Sequence, residues 1–247
     1  MIVNSTDIKN NFGKYIRLAA KEDIVITKNG KTVGKLVAYQ EEYTGHGGER
    51  RETREGVPAY NYGRKKVSWE EFLEMYEKCD EHERYEYIDG EIFFLEAPKV
   101  IHQRILMELS NQLYNWFKGK KCTPMAAPFD IRLLRNENDK NMVQPDLMVI
   151  CDMEEKLGAD GYYHGVPALT AEIVSRSTRS KDYVRKLDLY MRCGVSEYWI
   201  VNSDSRQVQV YLFRDGDVSE TKSFSFDDEI KSFYFENLTV SLRDFAL

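Results

Sequence analysis

The apolar and polar positions at the start of the chain follow two periods, one typical of strands and one typical of a helix. Three short apolar segments predict strands at 2–3, 24–27 and 33–37. A helical repeat of apolar residues, from Ile8 to Ala19, predicts a helix between the first two strands. Asn29-Gly30 indicates a two-residue hairpin turn between the last two. Because about 40 residues bury little surface, this small βαββ unit is expected to need a second copy for stability.

A longer pattern begins near residue 67. Ser68 to Glu71 reads as a capping box at the start of a helix, and Asp89-Gly90 reads as a hairpin turn between two short strands. Further helices are predicted at 101–117 and about 180–192, the second ended by Gly194. Further strands are predicted at 129–134, 143–150, 169–175, 197–201 and 207–213, with weaker signals at 223–226 and 232–240. This order predicts an α/β (α+β) domain with a mixed central sheet flanked by helices.

Residues 41–66 have no apolar period. They combine a glycine-rich stretch with a dense mixture of charges, which is typical of a flexible tether. The predicted organisation is therefore a head at 1–40, a linker at 41–66 and a large domain at 67–247.

Composition and charge narrow the class of protein. Apolar residues make up 42% and aromatic residues 13% of the 247 residues, which are values of a folded chain. No apolar run approaches the roughly 20 residues that span a bilayer, so a cytoplasmic protein without a membrane partner is expected. Residues 1–40 carry seven Lys or Arg and three Asp or Glu, a charge of +4, and the rest must carry −10 to give the total of −6. An acidic chain with a basic head does not resemble a protein that simply coats nucleic acid.

The four cysteines are widely scattered. Cys79, Cys122, Cys151 and Cys193 form no C-x-x-C pair, so neither a zinc site nor a disulfide framework is indicated. Free thiols are the expectation.

Two acids, Asp146 and Glu172, stand out because each lies in an apolar run. Asp146 precedes Leu-Met-Val-Ile, and Glu172 precedes Ile173 and Val174. A carboxylate buried on such a strand is costly without a compensating cation, so the pair indicates a metal site. The alternative is that each acid ends its strand facing solvent.

This pair suits phosphodiester hydrolysis, which needs a cation at the phosphate, a positioned water and stabilisation of the leaving oxygen. Asp146 and Glu172 supply carboxylates for Mg²⁺ or Mn²⁺, and the backbone carbonyl of Ile173 is a candidate third ligand. Lys181 and Lys186 are both candidates for the lysine that orients the water or stabilises developing negative charge. For Lys186 the alternative is a weakly stabilising pair with Asp182 at i, i+4.

The head carries three stretches that resemble a known family: 3–7 (Val-Asn-Ser-Thr-Asp), 11–15 (Asn-Phe-Gly-Lys-Tyr) and 24–31 (Ile-Val-Ile-Thr-Lys-Asn-Gly-Lys). They resemble the DNA-binding head of the Phd/YefM antitoxins. The resemblance implies a head that dimerises and binds DNA through Lys9, Lys14 and Arg17, with a toxin as a possible further partner. The alternative is a solvated basic helix face on a unit that serves only to dimerise.

The large domain carries seven motifs in order: 85–91, His102 to Ile105, Gln144-Pro145-Asp146, 172–175, 178–182, Lys186 and 194–201. Together they resemble the Uma-two family of restriction endonucleases, a branch of the PD-(D/E)XK nuclease superfamily. The resemblance covers about residues 67–240.

This second resemblance implies that Asp146 and Glu172 are metal ligands and that Glu86 lies near them and supports a second ion. The wider superfamily has a lysine two positions after the second acid, but Val174 stands there in this chain, so Lys186 on the next helix is expected to substitute. His102 and Gln103 are expected to face the substrate; the alternative is that they cap their helix. For Glu86 the alternative is an exposed strand residue paired with Arg84 or Arg104.

The sequence therefore predicts a Mg²⁺- or Mn²⁺-dependent DNA endonuclease, assembled as a homodimer or higher homo-oligomer through its head. Two alternatives stay open. One is an antitoxin-like transcriptional regulator whose nuclease fold is catalytically silent, and the other is a nuclease that acts on RNA or on single strands.

Overall fold

The computed structural model describes residues 2–10, 15, 19, 24–28, 31–36, 66–79, 83–95, 97–174 and 181–243. The chain divides into two compact units, Met1–Tyr60 and Asn61–Leu247. Most of the predicted linker lies outside the described residues, so the predicted domain limits remain predictions.

The first unit contains a three-stranded sheet. Its elements are β1 (Ile2–Asn4), α1 (Ser5–Asn10), β2 (Ile24–Lys28) and β3 (Lys31–Leu36). Strand β2 lies in the centre, parallel to β1 and antiparallel to β3. A small core forms where the helical repeat meets the sheet, from Val3, Ile8, Tyr15, Ala19 and Ile24. The predicted strand, helix, strand, strand order is confirmed.

The second unit contains four α-helices, a π-helix and twelve strands among its described residues. The helices are α2 (Trp69–Tyr76), α3 (Val100–Phe117), α4 (Met153–Lys156) and α5 (Leu187–Cys193), and the π-helix Lys181–Lys186 leads directly into α5. The first six strands are β4 (Tyr85–Ile88), β5 (Glu91–Phe94), β6 (Thr123–Ala126), β7 (Ile131–Asn136), β8 (Asp139–Val143) and β9 (Leu147–Ile150). The others are β10 (Leu169–Val174), β11 (Glu197–Asn202), β12 (Gln207–Arg214), β13 (Asp217–Ser225), β14 (Glu229–Lys231) and β15 (Thr239–Ser241).

The strands form a six-stranded central sheet of order β13-β12-β11-β10-β9-β6, a four-stranded sheet of order β5-β4-β8-β7, and the pair β14-β15. In the central sheet only β10 and β11 pair in parallel. Because strand side chains alternate between faces, the central sheet contributes to two cores. One core contains α3, with Ile105, Leu109 and Leu113, and the other contains α5, with Leu189 and Tyr190. The mixed central sheet flanked by helices is confirmed.

Three short-range signals in the sequence are present in the structure. Ser68 and Glu71 exchange both hydrogen bonds of a capping box at the start of α2. Asp89 and Gly90 have φ of 54° and 81°, the pair of positive values that a type I′ hairpin turn requires. Gly194 ends α5 with φ of 90°.

The strand predicted at 143–150 is wrong as a single element. Strand β8 pairs with β7 in the four-stranded sheet, and β9 pairs with β6 and β10 in the central sheet. Gln144-Pro145-Asp146 separates them, and Pro145 lacks the amide hydrogen that a continuous strand would need. Asp146 therefore lies where the chain passes from one sheet to the other.

The strand predicted at 232–240 is also only partly right, because β14 and β15 are short and separated by 232–238. Strand β6 and helix α4 were not predicted. Each has only four residues, too few to show a period.

The expectation that all cysteines are free is wrong for two of them. Cys122 and Cys151 form a disulfide with a Cα–Cα distance of 4.0 Å. They are adjacent because β6 and β9 pair antiparallel with Thr123 opposite Ile150, which places the two cysteines opposite each other at the next position. Their sequence separation of 29 carries no sign of this pairing. Cys79 and Cys193 are not in disulfides.

Within the described ranges, no helix combines the length and apolar character needed to cross a membrane.

Candidate active site

Asp146 connects three elements at the junction of the two sheets. Its Oδ2 accepts a hydrogen bond from the backbone amide of Ile173 on β10 at 2.7 Å. The same oxygen lies 3.0 Å from Nε2 of His102, in the first turn of α3. The Asp146 carbonyl accepts from the amide of Ala127 at 3.0 Å, which fixes the backbone as well. Because Ile173 follows Glu172 directly, the two predicted acids are neighbours.

Glu172 is buried on β10 and is held by two donors. Its Oε1 accepts from Nζ of Lys186 at 2.7 Å and from the hydroxyl of Tyr190 at 2.6 Å. Lys186 and Tyr190 are four residues apart, so they point from the same side of the helix towards the sheet. Burial raises the pKa of Tyr190 well above its ordinary value, which keeps its hydroxyl protonated as a donor.

Glu86 lies on β4 and is completely buried, at 0% exposure. Its Oε1 accepts from Nζ of Lys186 at 2.7 Å and from the amide of Gln144 at 3.0 Å. Its Oε2 accepts from Nζ of Lys181 at 2.5 Å. The alternative of an exposed strand residue paired with Arg84 or Arg104 is wrong.

The π-helix explains how two lysines reach one carboxylate. Lys181 and Lys186 are five residues apart, and in an α-helix they would point about 140° apart. In a π-helix the hydrogen bonds run from i to i+5 and each turn is wider, so these positions come to the same side of the helix. Lys186 is 2% and Lys181 is 11% exposed. Nζ of Lys186 also lies 4.0 Å from Oδ1 of Asp182, the predicted i, i+4 pair.

Counted over the described residues, the site contains more carboxylates than cations. Glu86, Glu172 and Asp182 are buried and Asp146 is 20% exposed, against two lysines. Burial alone would raise the pKa of Glu86, but Lys186 and Lys181 outweigh it and hold the value below its ordinary range.

In the described part of the chain, Lys186 is the one cation bonded to Glu172. The burial of Glu172, opposed by Lys186 but reinforced by Asp146, Asp182 and Glu86, raises its pKa to about 8. Burial would lower the pKa of Lys186, yet its carboxylate neighbours raise it, so the lysine stays charged. A further cation beside Glu172 would lower the pKa of that glutamate and favour the ionised carboxylate.

The donor set fits a magnesium-type ion. Across the residues that the structure describes, no three His, Cys, Asp or Glu side chains form a group that could enclose a metal. Mg²⁺ in proteins is usually held by only one or two carboxylates, with waters and substrate phosphates filling its other positions. Asp146, which accepts from the amide of Ile173, and the adjacent Glu172 would supply two carboxylates of this kind.

His102 and Gln103 differ in their surroundings. Lys99, at the N-cap of α3, makes no side-chain capping bond, and His102 faces Asp146 instead of the helix end. Nδ1 of His102 is buried and has no partner among the described residues. Gln103 is exposed. Of the predicted residues in the head, Lys14, Arg17 and the side chain of Lys9 lie outside the described part of the chain.

Sequence reasoning missed Tyr190 and Gln144 as parts of this site. Tyr190 could have been found, because it follows Lys186 by four residues in a predicted helix. The bond from the Gln144 amide to Glu86 joins residues 58 positions apart and has no local signal.

A solved structure shares this fold. It is described as a "putative nuclease belonging to DUF820 from Anabaena variabilis ATCC 29413", and it superposes with a TM-score of 0.57 at 19% identity. The match covers 72% of this chain and 96% of that one. The two chains therefore share a fold over the matched part.

Residues 69–243 match the Uma2 (Uma-two) family, described as "Putative restriction endonuclease", and the chain belongs to that family. Residues 1–43 match the antitoxin Phd_YefM family of type II toxin-antitoxin systems. The uncharacterized protein slr1290 of Synechocystis sp. (strain ATCC 27184 / PCC 6803 / Kazusa) is 29% identical over 147 residues, which are 59% of this chain and 74% of the relative. Both predicted resemblances are confirmed, and the family supports a nuclease.

Proposed function

We propose that this chain is a metal-dependent endonuclease that hydrolyses phosphodiester bonds in DNA. One observation carries the proposal: Asp146 accepts from the amide of Ile173 directly beside Glu172, Lys186 is bound to Glu172, and among the described residues carboxylates outnumber cations there. The family of the chain supports the nuclease part of the proposal.

Asp146, Glu172 and the carbonyl of Ile173 would hold Mg²⁺ or Mn²⁺. When bound, such an ion neutralises charge on the scissile phosphate and lowers the pKa of a coordinated water. The hydrogen bonds from Ile173 and Tyr190 fix the orientation of the two carboxylates before substrate arrives. Glu86 is engaged by two lysines and a backbone amide, so we assign it to holding the lysines instead of a second ion.

The two lysines would have different roles. Lys186 is held by Glu86 and Glu172, so its ammonium group occupies a fixed position from which it stabilises negative charge developing on the phosphate. Lys181 is bound by Glu86 and is the more exposed of the two, which suits a contact with a phosphate of the DNA backbone.

We expect the purified protein to nick or linearise supercoiled plasmid with Mg²⁺ or Mn²⁺ and to leave it intact in EDTA. Gel electrophoresis of time courses measures this, and re-addition of Mg²⁺ to the EDTA sample should restore cleavage. A panel of duplex DNA, single-stranded DNA and RNA separates the DNA endonuclease from the alternative substrates. Equal cleavage with and without EDTA would contradict the proposed metal dependence.

We also propose that the head dimerises and binds DNA through Lys9, Lys14 and Arg17. Replacing all three by alanine in the full chain should weaken DNA binding. It should also lower the slope of log K against log salt concentration by about 0.9 for each phosphate that the variant no longer neutralises. Fluorescence anisotropy at several salt concentrations measures both quantities. Alanine at Lys28, Lys31 and Lys35 is the control with the same charge change, and equal effects of the two triple variants would contradict the assignment.

The match to the Phd/YefM family favours one second candidate, an antitoxin-like regulator with a catalytically silent nuclease fold and a toxin as a candidate partner. DNA binding by a dimer that cleaves no substrate of the panel with any metal would select this candidate.

A further inference from the structure

Gln144 connects the candidate site to a part-buried series of hydrogen-bonded polar side chains. It lies directly before Pro145-Asp146 and is 7% exposed. Its backbone amide donates to Oε1 of Glu86 at 3.0 Å, and its side-chain Nε2 donates to Oδ1 of Asp130 at 2.6 Å. Hydrogen bonds from both the backbone and the side chain of Gln144 therefore hold the turn that carries Asp146.

Asp130 extends this series of hydrogen bonds to helix α2. It precedes β7 and lies opposite Gln144 because Ile131 pairs with Val143. Its second oxygen, Oδ2, accepts from the hydroxyl of Tyr76 at 2.5 Å. Burial and this bond raise the pKa of Tyr76, so the hydroxyl remains a donor. Both oxygens of Asp130 are thus occupied, by donors from two other elements.

We propose that Tyr76, Asp130 and Gln144 form a positioning relay, which fixes the carboxylate of Glu86 and the turn that carries Asp146. Through Glu86 the relay also fixes the ammonium groups of Lys181 and Lys186. The inference rests on the proposed nuclease function. The three relay residues act through others, so they are positioning residues and not catalytic ones.

The orientation of the Gln144 side chain supports this role. Its Oε1 is buried and has no hydrogen-bond partner among the described residues. Turning the amide over would give Oε1 no better partner and would place it against the carboxylate of Asp130. The single bond from Nε2 to Asp130 therefore fixes this side chain, and Tyr76 in turn fixes Asp130. Displacement of a catalytic group by about 1 Å can lower a rate by about 10²-fold, so the relay should affect the chemical step.

The test compares Tyr76→Phe and Asp130→Asn with Tyr163→Phe. Tyr163 donates to Oδ1 of Asp152 at 2.6 Å, so the control loses a similar Tyr–Asp bond away from the relay. We expect Asp130→Asn to lower kcat by about 10- to 100-fold and Tyr76→Phe by about tenfold, with KM for DNA nearly unchanged. The Gln144 amide should exchange its hydrogen about tenfold faster in both relay variants, as measured by NMR, and not in the control.

Because the three relay residues act in series, the double variant with Tyr76→Phe and Asp130→Asn should lose no more kcat than Asp130→Asn alone. If the wild type cleaves DNA and both relay variants behave like Tyr163→Phe, the relay is overturned and the nuclease stands. If the wild type cleaves nothing, the proposed function fails, and exchange of the Gln144 amide decides the relay by itself. Unchanged exchange would overturn it, and faster exchange in the relay variants alone would support it.

Discussion

Asp146→Asn should abolish DNA cleavage, lowering kcat by about 10³-fold or more while the fold is retained. Asparagine keeps an oxygen that can accept from the Ile173 amide, but it loses the negative charge that would hold the metal. A metal ion contributes several kcal/mol to such a reaction, and each 1.36 kcal/mol is tenfold in rate, which gives about this factor. Single-turnover cleavage of plasmid with Mg²⁺ measures the loss, and calorimetry with Mn²⁺ should show weakened binding.

The matched control is Asp152→Asn, the same substitution at a carboxylate that binds Tyr163 outside the site. It should cleave at nearly the wild-type rate. Activity of Asp146→Asn within tenfold of the wild type would remove Asp146 from the catalytic residues.

Lys186→Met should destabilise the folded protein by about 3–5 kcal/mol, the cost typical of removing one partner of a buried ion pair. The substitution keeps the length of the side chain but leaves Glu86 and Glu172 without their shared cation. Urea unfolding measures the free energy of unfolding of both proteins. Lys140→Met is the control, because Lys140 is 41% exposed and lies 4.0 Å from Glu70, a pair expected to contribute less than about 1 kcal/mol.

The destabilisation should depend on pH in a defined direction. In the wild type Lys186 and Lys181 outweigh burial and hold the pKa of Glu86 below its ordinary value of 4.5, and loss of Lys186 removes the larger of these two effects, so this pKa moves upward. When a folded-state carboxyl pKa moves upward, stability is lost as pH rises through the range between the old and the new value and is unchanged below that range. The difference between Lys186→Met and the wild type should therefore be smaller at pH 5 than at pH 8. A difference that does not change with pH would contradict the shared-cation arrangement.

The parts of the fold that the sequence predicts are those set by residues close together in the chain. The capping box of Ser68 and Glu71 and the turn at Asp89-Gly90 depend on a few adjacent residues and were found. Asp146 and Glu172 drew attention because an acid within an apolar run is unusual, and the structure places them next to each other. The break between β8 and β9 was missed because the apolar end of β8, Met142 and Val143, lies close to the apolar strand β9 and only Pro145 marks the boundary.

The parts of the fold and of the candidate site that the sequence did not predict depend on contacts between segments far apart in the chain. The sequence could not show that Glu86 is buried, since its partners come from residues 95 and 100 positions later on another element. The bond between Tyr76 and Asp130 spans 54 positions, and the disulfide depends on the register of β6 and β9. The choice between Lys181 and Lys186 stayed open because their spacing places them on one side only in a π-helix, for which the sequence carried no recognised signal.

The π-helix also affects how such sites can be recognised in other chains. An α-helix would bring two lysines to one carboxylate at a spacing of four residues, whereas the π-helix Lys181–Lys186 does so at five. Inserting one residue between the lysines of an α-helix, or deleting one from the π-helix, can therefore change their spacing in the sequence while both ammonium groups still reach the same carboxylate. A search pattern with a fixed interval between the lysines would miss one of the two arrangements that build the same site, so the pattern must allow both lengths.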